Sequence, residues 1–217
     1  MNVLYLHGFA SSPRSTKASV IGGRLRERGV RWRCPDLNEP DFTSLTMTRM
    51  LGRVDVELGT FDGPAVVFGS SLGGALAILA AARWPARVER LVLLAPAVMF
   101  ARPGHHLLPP EHVEAWRREG SRVFEHYGAG EEQRLGYGFY EDSLQYDVFG
   151  ADFAQPALVF QGRRDTSVEP AGVEAFCRER ANVSLVLLDD DHQLTASLDT
   201  IWEGSAACLA LPEAPRP

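Results

Sequence analysis

Val66-Val67-Phe68-Gly69-Ser70-Ser71-Leu72-Gly73-Gly74-Ala75 joins an apolar run to a Gly-x-Ser-x-Gly turn and then to an alanine-rich helical pattern. That order is the signature of a nucleophile elbow, a strand-to-helix turn tight enough to hold its central serine in a strained backbone conformation. Gly69 and Gly73 lie two residues either side of Ser71. A Cβ at either place would meet the chain as it doubles back. The hydroxyl of Ser71 is therefore expected to stand clear of the sheet. The helix start behind it offers free N–H groups and a partial positive charge. Residues 65–68 are the expected strand and Leu72–Arg83 the expected helix.

Such an elbow needs partners, and the chain offers them in order. Val3-Leu4-Tyr5-Leu6 is a short apolar strand running into His7-Gly8-Phe9. In folds built around this elbow, the loop after that strand gives one backbone N–H to a developing oxyanion, and the residue after the serine gives another. Those donors are expected at Phe9 and Leu72, each worth roughly 3 kcal/mol of barrier. His7 reads as a brace for its own loop, not as the base. The base is expected late, because the order is serine, then acid, then histidine. Of the six histidines, His192 follows the late apolar strand Ser184–Leu188. His105, His106, His112 and His126 fall in the middle of the chain, where a solvated or packing role is expected. The acid is expected after the preceding strand, Ala157–Phe160, at Asp165 in Gln161-Gly162-Arg163-Arg164-Asp165. A buried carboxylate there would fix the histidine tautomer. Asp189, Asp190 and Asp191 are rivals for that role, and otherwise form a polar turn.

A resemblance rests on these residues together. Leu4-Tyr5-Leu6-His7-Gly8-Phe9-Ala10-Ser11-Ser12-Pro13-Arg14-Ser15, then Lys17-Ala18, then Gly69-Ser70-Ser71-Leu72-Gly73-Gly74, is similar to the small bacterial YqiA-type esterases and to short α/β-hydrolase thioesterases. It is strong over residues 3–30 and 65–96, in register around Asp165 and His192, and absent over 97–150. The resemblance implies an α/β-hydrolase fold and an esterase of short acyl substrates, with Ser71, Asp165 and His192 as triad. The three aspartates before His192 depart from the small residues common there.

Composition agrees with such a chain. At 217 residues and 45% apolar content, one domain over residues 1–211 with a substantial core is expected. A net charge of −6 gives no basic footprint for nucleic acid and little attraction to a membrane surface. No export signal or bilayer-length apolar run is read. Cys34, Cys177 and Cys208 are odd in number and scattered, which suggests reduced thiols in the cytoplasm and no metal site. No cofactor is expected.

Elsewhere the chain alternates strands and helices, the pattern of a mostly parallel sheet covered on both faces. Helices are expected over 15–28, 43–58, 170–180 and 195–209, and further strands over 30–34 and 88–94. The expected order of the six strands is 2-1-3-4-5-6. Residues 97–150 are too long for a simple crossover and are expected to form a lid. It should contain a helix over 111–119 and an aromatic cluster at Tyr137, Phe139, Tyr140, Tyr146 and Phe149. Phe139 and Tyr140 are the candidate substrate contacts, the alternative being that these rings only pack the insertion down. The tail 212–217 is expected to be disordered. The expected function is a serine hydrolase cleaving a small carboxylic ester or thioester. An amidase or acyltransferase with the same triad, or a ligand receptor with little turnover, stays open.

Overall fold

Alternate residues of each strand face opposite helix layers, and that alternation organises the molecule. The computed structural model describes residues 1–100, 102 and 108–211. Its elements begin with β1 (Asn2–Leu6), α1 (Thr16–Arg26), β2 (Arg31–Arg33), α2 (Met47–Leu58), β3 (Ala65–Ser70), α3 (Leu72–Arg83) and β4 (Val88–Leu94). After β4 come α4 (Pro110–Glu119), β5 (Ser121–His126), β6 (Glu131–Gly136) and α5 (Gly138–Ser143). The chain then returns to the sheet through β7 (Ala157–Gly162), α6 (Pro170–Arg178), β8 (Val183–Leu188) and α7 (Leu198–Cys208). The main sheet has six strands in the order β2-β1-β3-β4-β7-β8, and every neighbouring pair is parallel. That is the expected order, with β7 and β8 as fifth and sixth strands.

Val3 and Tyr5 of β1, Val66 and Phe68 of β3, and Val92 and Leu94 of β4 pack beneath α1 and α7. Their neighbours Leu4, Leu6, Val67, Leu91 and Leu93 pack with residues of α2, α3 and α6. Both faces of the sheet are thereby buried, as a parallel sheet requires. Among the described residues no helix is long and apolar enough to cross a membrane.

The helix expected from Thr43 begins instead at Met47. Asp41 accepts from the Ser44 N–H at 2.8 Å and from its hydroxyl at 2.6 Å, which turns the chain before a helix can start. The Thr46 hydroxyl then caps α2 by accepting from the Arg49 N–H at 3.1 Å.

Between β4 and β7 the expected helix is present as α4, and the antiparallel hairpin β5–β6 was not foreseen. Its strands are mostly charged or polar, and Val123 points to solvent, so the apolar alternation that marks a strand is faint. The hairpin is tied at both ends. At its tip the Gly128 N–H donates to the Ala10 carbonyl at 3.1 Å. A Cβ on Gly128 would lie 2.7 Å from the Ser11 carbonyl oxygen, so only glycine allows this approach. At its base the Gly136 N–H donates to the Thr43 carbonyl at 2.8 Å. Helix α5 is fastened to α2 where Asp142 accepts from the Thr48 N–H at 2.8 Å and its hydroxyl at 2.6 Å. The tail 212–217, His105 and His106 lie outside the described residues.

Candidate active site

Four loops meet at the carboxyl ends of β1, β3, β7 and β8, where open parallel sheets present their ligand-binding crevice. Ser71, between β3 and α3, has φ +53° and ψ −117°, a backbone conformation that L-residues rarely adopt. Its own backbone holds it there. The Ser71 N–H donates to the Leu94 carbonyl at 2.9 Å, and its carbonyl accepts from Gly74 at 2.9 Å and Ala97 at 3.0 Å. The flanking glycines are required by close approach. A Cβ on Gly69 would lie 2.4 Å from the Gly73 carbonyl oxygen, and one on Gly73 only 2.0 Å from that of Leu6.

His192, after β8, turns Nε2 to the Ser71 hydroxyl at 3.1 Å and Nδ1 to Asp165 Oδ2 at 2.8 Å. The structure thus brings together the three side chains singled out in the sequence. Asp165 is buried, and its other oxygen accepts from the N–H groups of Ser167 at 2.9 Å and Val168 at 2.8 Å. Burial alone would raise this carboxyl. The hydrogen bonds from His192, the Val168 N–H and Gln161 outweigh it and hold the group below its ordinary value. Asp165 is therefore a carboxylate facing the imidazole Nδ1.

The three rival aspartates do other things. Asp189 pairs with Arg164 at the surface. Asp190 accepts from the Asp191 N–H, and Asp191 accepts from the Gln193 N–H, both at 2.8 Å. None is hydrogen-bonded to the His192 ring among the described residues.

His7 braces its loop, with Nε2 accepting from the Leu37 N–H at 3.0 Å and Nδ1 2.9 Å from the Gly8 carbonyl. Gly8 passes close to Ser71, its Cβ position 3.4 Å from that of the serine. Among the described residues no backbone carbonyl takes the N–H of Phe9 or of Leu72. Both residues line the cleft beside Ser71. Burial pushes the Cys34 thiol up to about 12 and the Cys177 thiol up to about 11, so neither supplies a thiolate at neutral pH.

Two cavities adjoin this constellation. A polar cleft of about 780 Å³ holds Ser71 and His192, with Ser12, Ser15, Lys17 and Thr195 on its walls. An apolar cavity of about 250 Å³ lies under the insertion, lined by Phe9, Phe100, Trp116, Phe124, Phe139 and Tyr140 among others. Phe9, Phe100 and Tyr127 line both. The Phe9 ring packs 5.4 Å from Phe124 and 5.5 Å from Phe139, centroid to centroid. The loop carrying one candidate oxyanion donor is thus clamped to the insertion.

The model of an uncharacterised protein family, UPF0227, matches residues 2–206 of this chain. The chain belongs to that family. This is the YqiA-type family that the opening motifs resemble. No curated protein matches the sequence. Among solved structures, Est1E from Butyrivibrio proteoclasticus with ferulic acid bound is similar at 22% identity and a TM-score of 0.79, over 96% of this chain and 88% of that one. Mouse alpha/beta hydrolase domain-containing protein 10 is similar at 19% identity and a TM-score of 0.77, over 96% and 89%. Monoacylglycerol lipase from Paleococcus ferrophilus is similar at 14% identity and a TM-score of 0.74, over 95% and 94%. These likenesses show the α/β-hydrolase fold for this UPF0227 chain.

Of the expected aromatic cluster, Phe139 and Tyr140 reach the apolar cavity, whereas Tyr146 bonds to Thr48 and Phe149 packs on Phe176. Two residues of the site went unnoticed in the sequence. Gln161, fully buried at the end of β7, donates to Asp165 Oδ2 at 3.0 Å and to the Val168 carbonyl at 3.1 Å. Phe124 carries the hairpin into the cavity wall. A polar residue closing an apolar strand was the available signal for Gln161. No signal marked Phe124 once the hairpin was missed.

Proposed function

We propose that this protein is a serine hydrolase acting on a small carboxylic ester or thioester. The observation that carries the reading is the unbroken hydrogen-bonded line from Asp165 through His192 to Ser71, with a strained serine at its end. In the proposed reaction Ser71 Oγ attacks the carbonyl carbon as its proton passes to His192 Nε2. Asp165 accepts from Nδ1–H and stabilises the imidazolium that forms. The carbonyl electrons move onto oxygen, and the N–H groups of Phe9 and Leu72 donate to the oxyanion that forms. Collapse of this intermediate breaks the bond to the leaving alcohol or thiol, which takes the proton from His192. Water then gives a proton to the same base and attacks the acyl carbon; as the bond to Ser71 Oγ breaks, Oγ takes that proton back from His192 and the acid is freed.

The acyl group is assigned to the apolar cavity, with Phe139 and Tyr140 on its wall. The leaving group and the entering water are assigned to the polar cleft. Est1E, with this fold, was solved holding ferulic acid, which makes aromatic acyl esters a sensible part of a substrate panel. A fluorophosphonate probe should label the wild type, Ser70→Ala and Ser12→Ala, and leave Ser71→Ala unlabelled. Stoichiometric labelling of Ser71→Ala would contradict the assignment. Steady turnover of a short activated ester separates an enzyme from a receptor that reacts once.

A further inference from the structure

Lys17 is a buried amine that the reaction above does not use. It sits in the first turn of α1, only 9% exposed, on the wall of the cleft that holds Ser71 and His192. Its Nζ donates to the backbone carbonyl of Gln193 at 2.8 Å. That carbonyl belongs to the residue following His192, so α1 grips the histidine loop one residue beyond the ring. Other ties hold the loop as well: the Asp190 carbonyl accepts from the Arg164 N–H at 3.0 Å and the Asp191 carbonyl from the Leu194 N–H at 3.3 Å. The Asp191 carboxylate holds the Gln193 N–H, and Leu194, at φ +55°, turns back with its side chain fully buried. A left-handed leucine needs its surroundings to keep it there.

The charges around this point are also uneven. Asp165 after β7, and Asp190 and Asp191 on the histidine loop itself, all act on the Lys17 ammonium. Burial pushes the ammonium down to about 8, against the pull of those three carboxylates. It still carries its proton at neutral pH. Arg14 lines the outer part of the same cleft but is exposed, and Asp189 is turned away onto Arg164. Lys17 is therefore a buried cation acted on by Asp165, the partner of His192, and by two carboxylates of the histidine loop.

We infer that Lys17 is a positioning residue for His192: its ammonium fixes the histidine loop, and with it the imidazole, through the Gln193 carbonyl. The inference rests on the reading of Ser71, His192 and Asp165 as the reacting set. A lysine placed only to fill space would affect neither the place of the imidazole nor kcat.

Lys17→Met and Lys17→Arg in the full chain test this, with two readouts. The first is the proton NMR signal of the His192 ring at fixed pH, assigned by comparison with His192→Asn. In Lys17→Met it should shift or broaden as the ring loses its fixed place, and in Lys17→Arg it should stay near the wild-type position. The second is steady-state kinetics. Lys17→Met should lower kcat about tenfold or more with KM within about twofold, the mark of a misplaced base and an unaltered binding site. Both variants should melt above the assay temperature, so that lost kcat is not lost fold. An unmoved ring signal, or an unchanged kcat, in Lys17→Met overturns the inference. Absence of Ser71-dependent turnover in the wild type would instead bring down the hydrolase reading on which it rests.

Discussion

The loops at the carboxyl end of the sheet and the insertion between β4 and β7 are held by different forces. Ser71, Asp165 and His192 are placed by directional contacts: backbone hydrogen bonds on Ser71, three donors on Asp165 besides the imidazole, and a lysine on the His192 loop. The insertion is tied at its edges by hydrogen bonds to Ala10, Thr43 and Thr48, but its cavity-facing side is placed by ring packing. Phe9, Phe124, Trp116, Tyr137, Phe139 and Tyr140 form a chain of contacts with centroids 5.2 to 6.2 Å apart. Hydrogen bonds fix an atom to within a few tenths of an ångström. Apolar packing sets volume and shape and tolerates exchange of similar side chains. The division suits a site whose chemistry is fixed and whose acyl preference is adjustable.

The sharpest way to break this contrast is at Asp165. Asp165→Asn should cost about 10⁴ in kcat with the fold retained, because the amide favours the wrong imidazole tautomer. Asp189→Asn and Asp191→Asn should each cost under about tenfold, since one carboxylate is exposed on Arg164 and the other caps a backbone N–H. A larger loss from either than from Asp165→Asn would show that the acid is misassigned. The same variant has a signature in stability. The folded Asp165 carboxyl is held below its ordinary value. Its contribution is therefore complete above the unfolded carboxylate value of about 3.9 and is lost as pH falls through the folded one. The Tm gap between wild type and Asp165→Asn should hold from neutral pH down to about 4 and close as pH falls further.

A smaller effect is expected one contact further out. Gln161→Leu removes the donor to Asp165 Oδ2 and leaves the buried Val168 carbonyl without its side-chain partner. It should cost about 1–3 kcal/mol of stability and roughly tenfold in kcat, with KM unchanged. If kcat is untouched while stability falls, Gln161 supports only the fold.

The contrast also governs what could be read from the sequence. The elbow was legible because its residues are contiguous and Gly69 answers to a collision with Gly73 four positions on, although Gly73 itself answers to the Leu6 carbonyl of β1. Asp165 and His192 were legible because strand order fixes which loops share an end of the sheet. Gln161 and Lys17 act through tertiary pairs, Lys17 with a carbonyl 176 positions away, and no periodicity records such a pair. The hairpin escaped because its strands are solvated on one side, so charge masks their alternation. The start of α2 escaped because the Asp41 turn is a side-chain contact that competes with the helix.

The most direct test of the division between chemistry and preference is kcat/KM across esters of graded acyl length, measured for wild type, Asp165→Asn and Phe139→Ala. Phe139 is nearly fully buried in the cavity wall, and its truncation adds volume where the acyl chain is assigned. Asp165→Asn should lower every substrate by the same factor. Phe139→Ala should change the ratio of long to short acyl chains by about tenfold with a smaller change in the substrates' mean rate. Uniform loss in Phe139→Ala, or reordered preference in Asp165→Asn, would contradict the account.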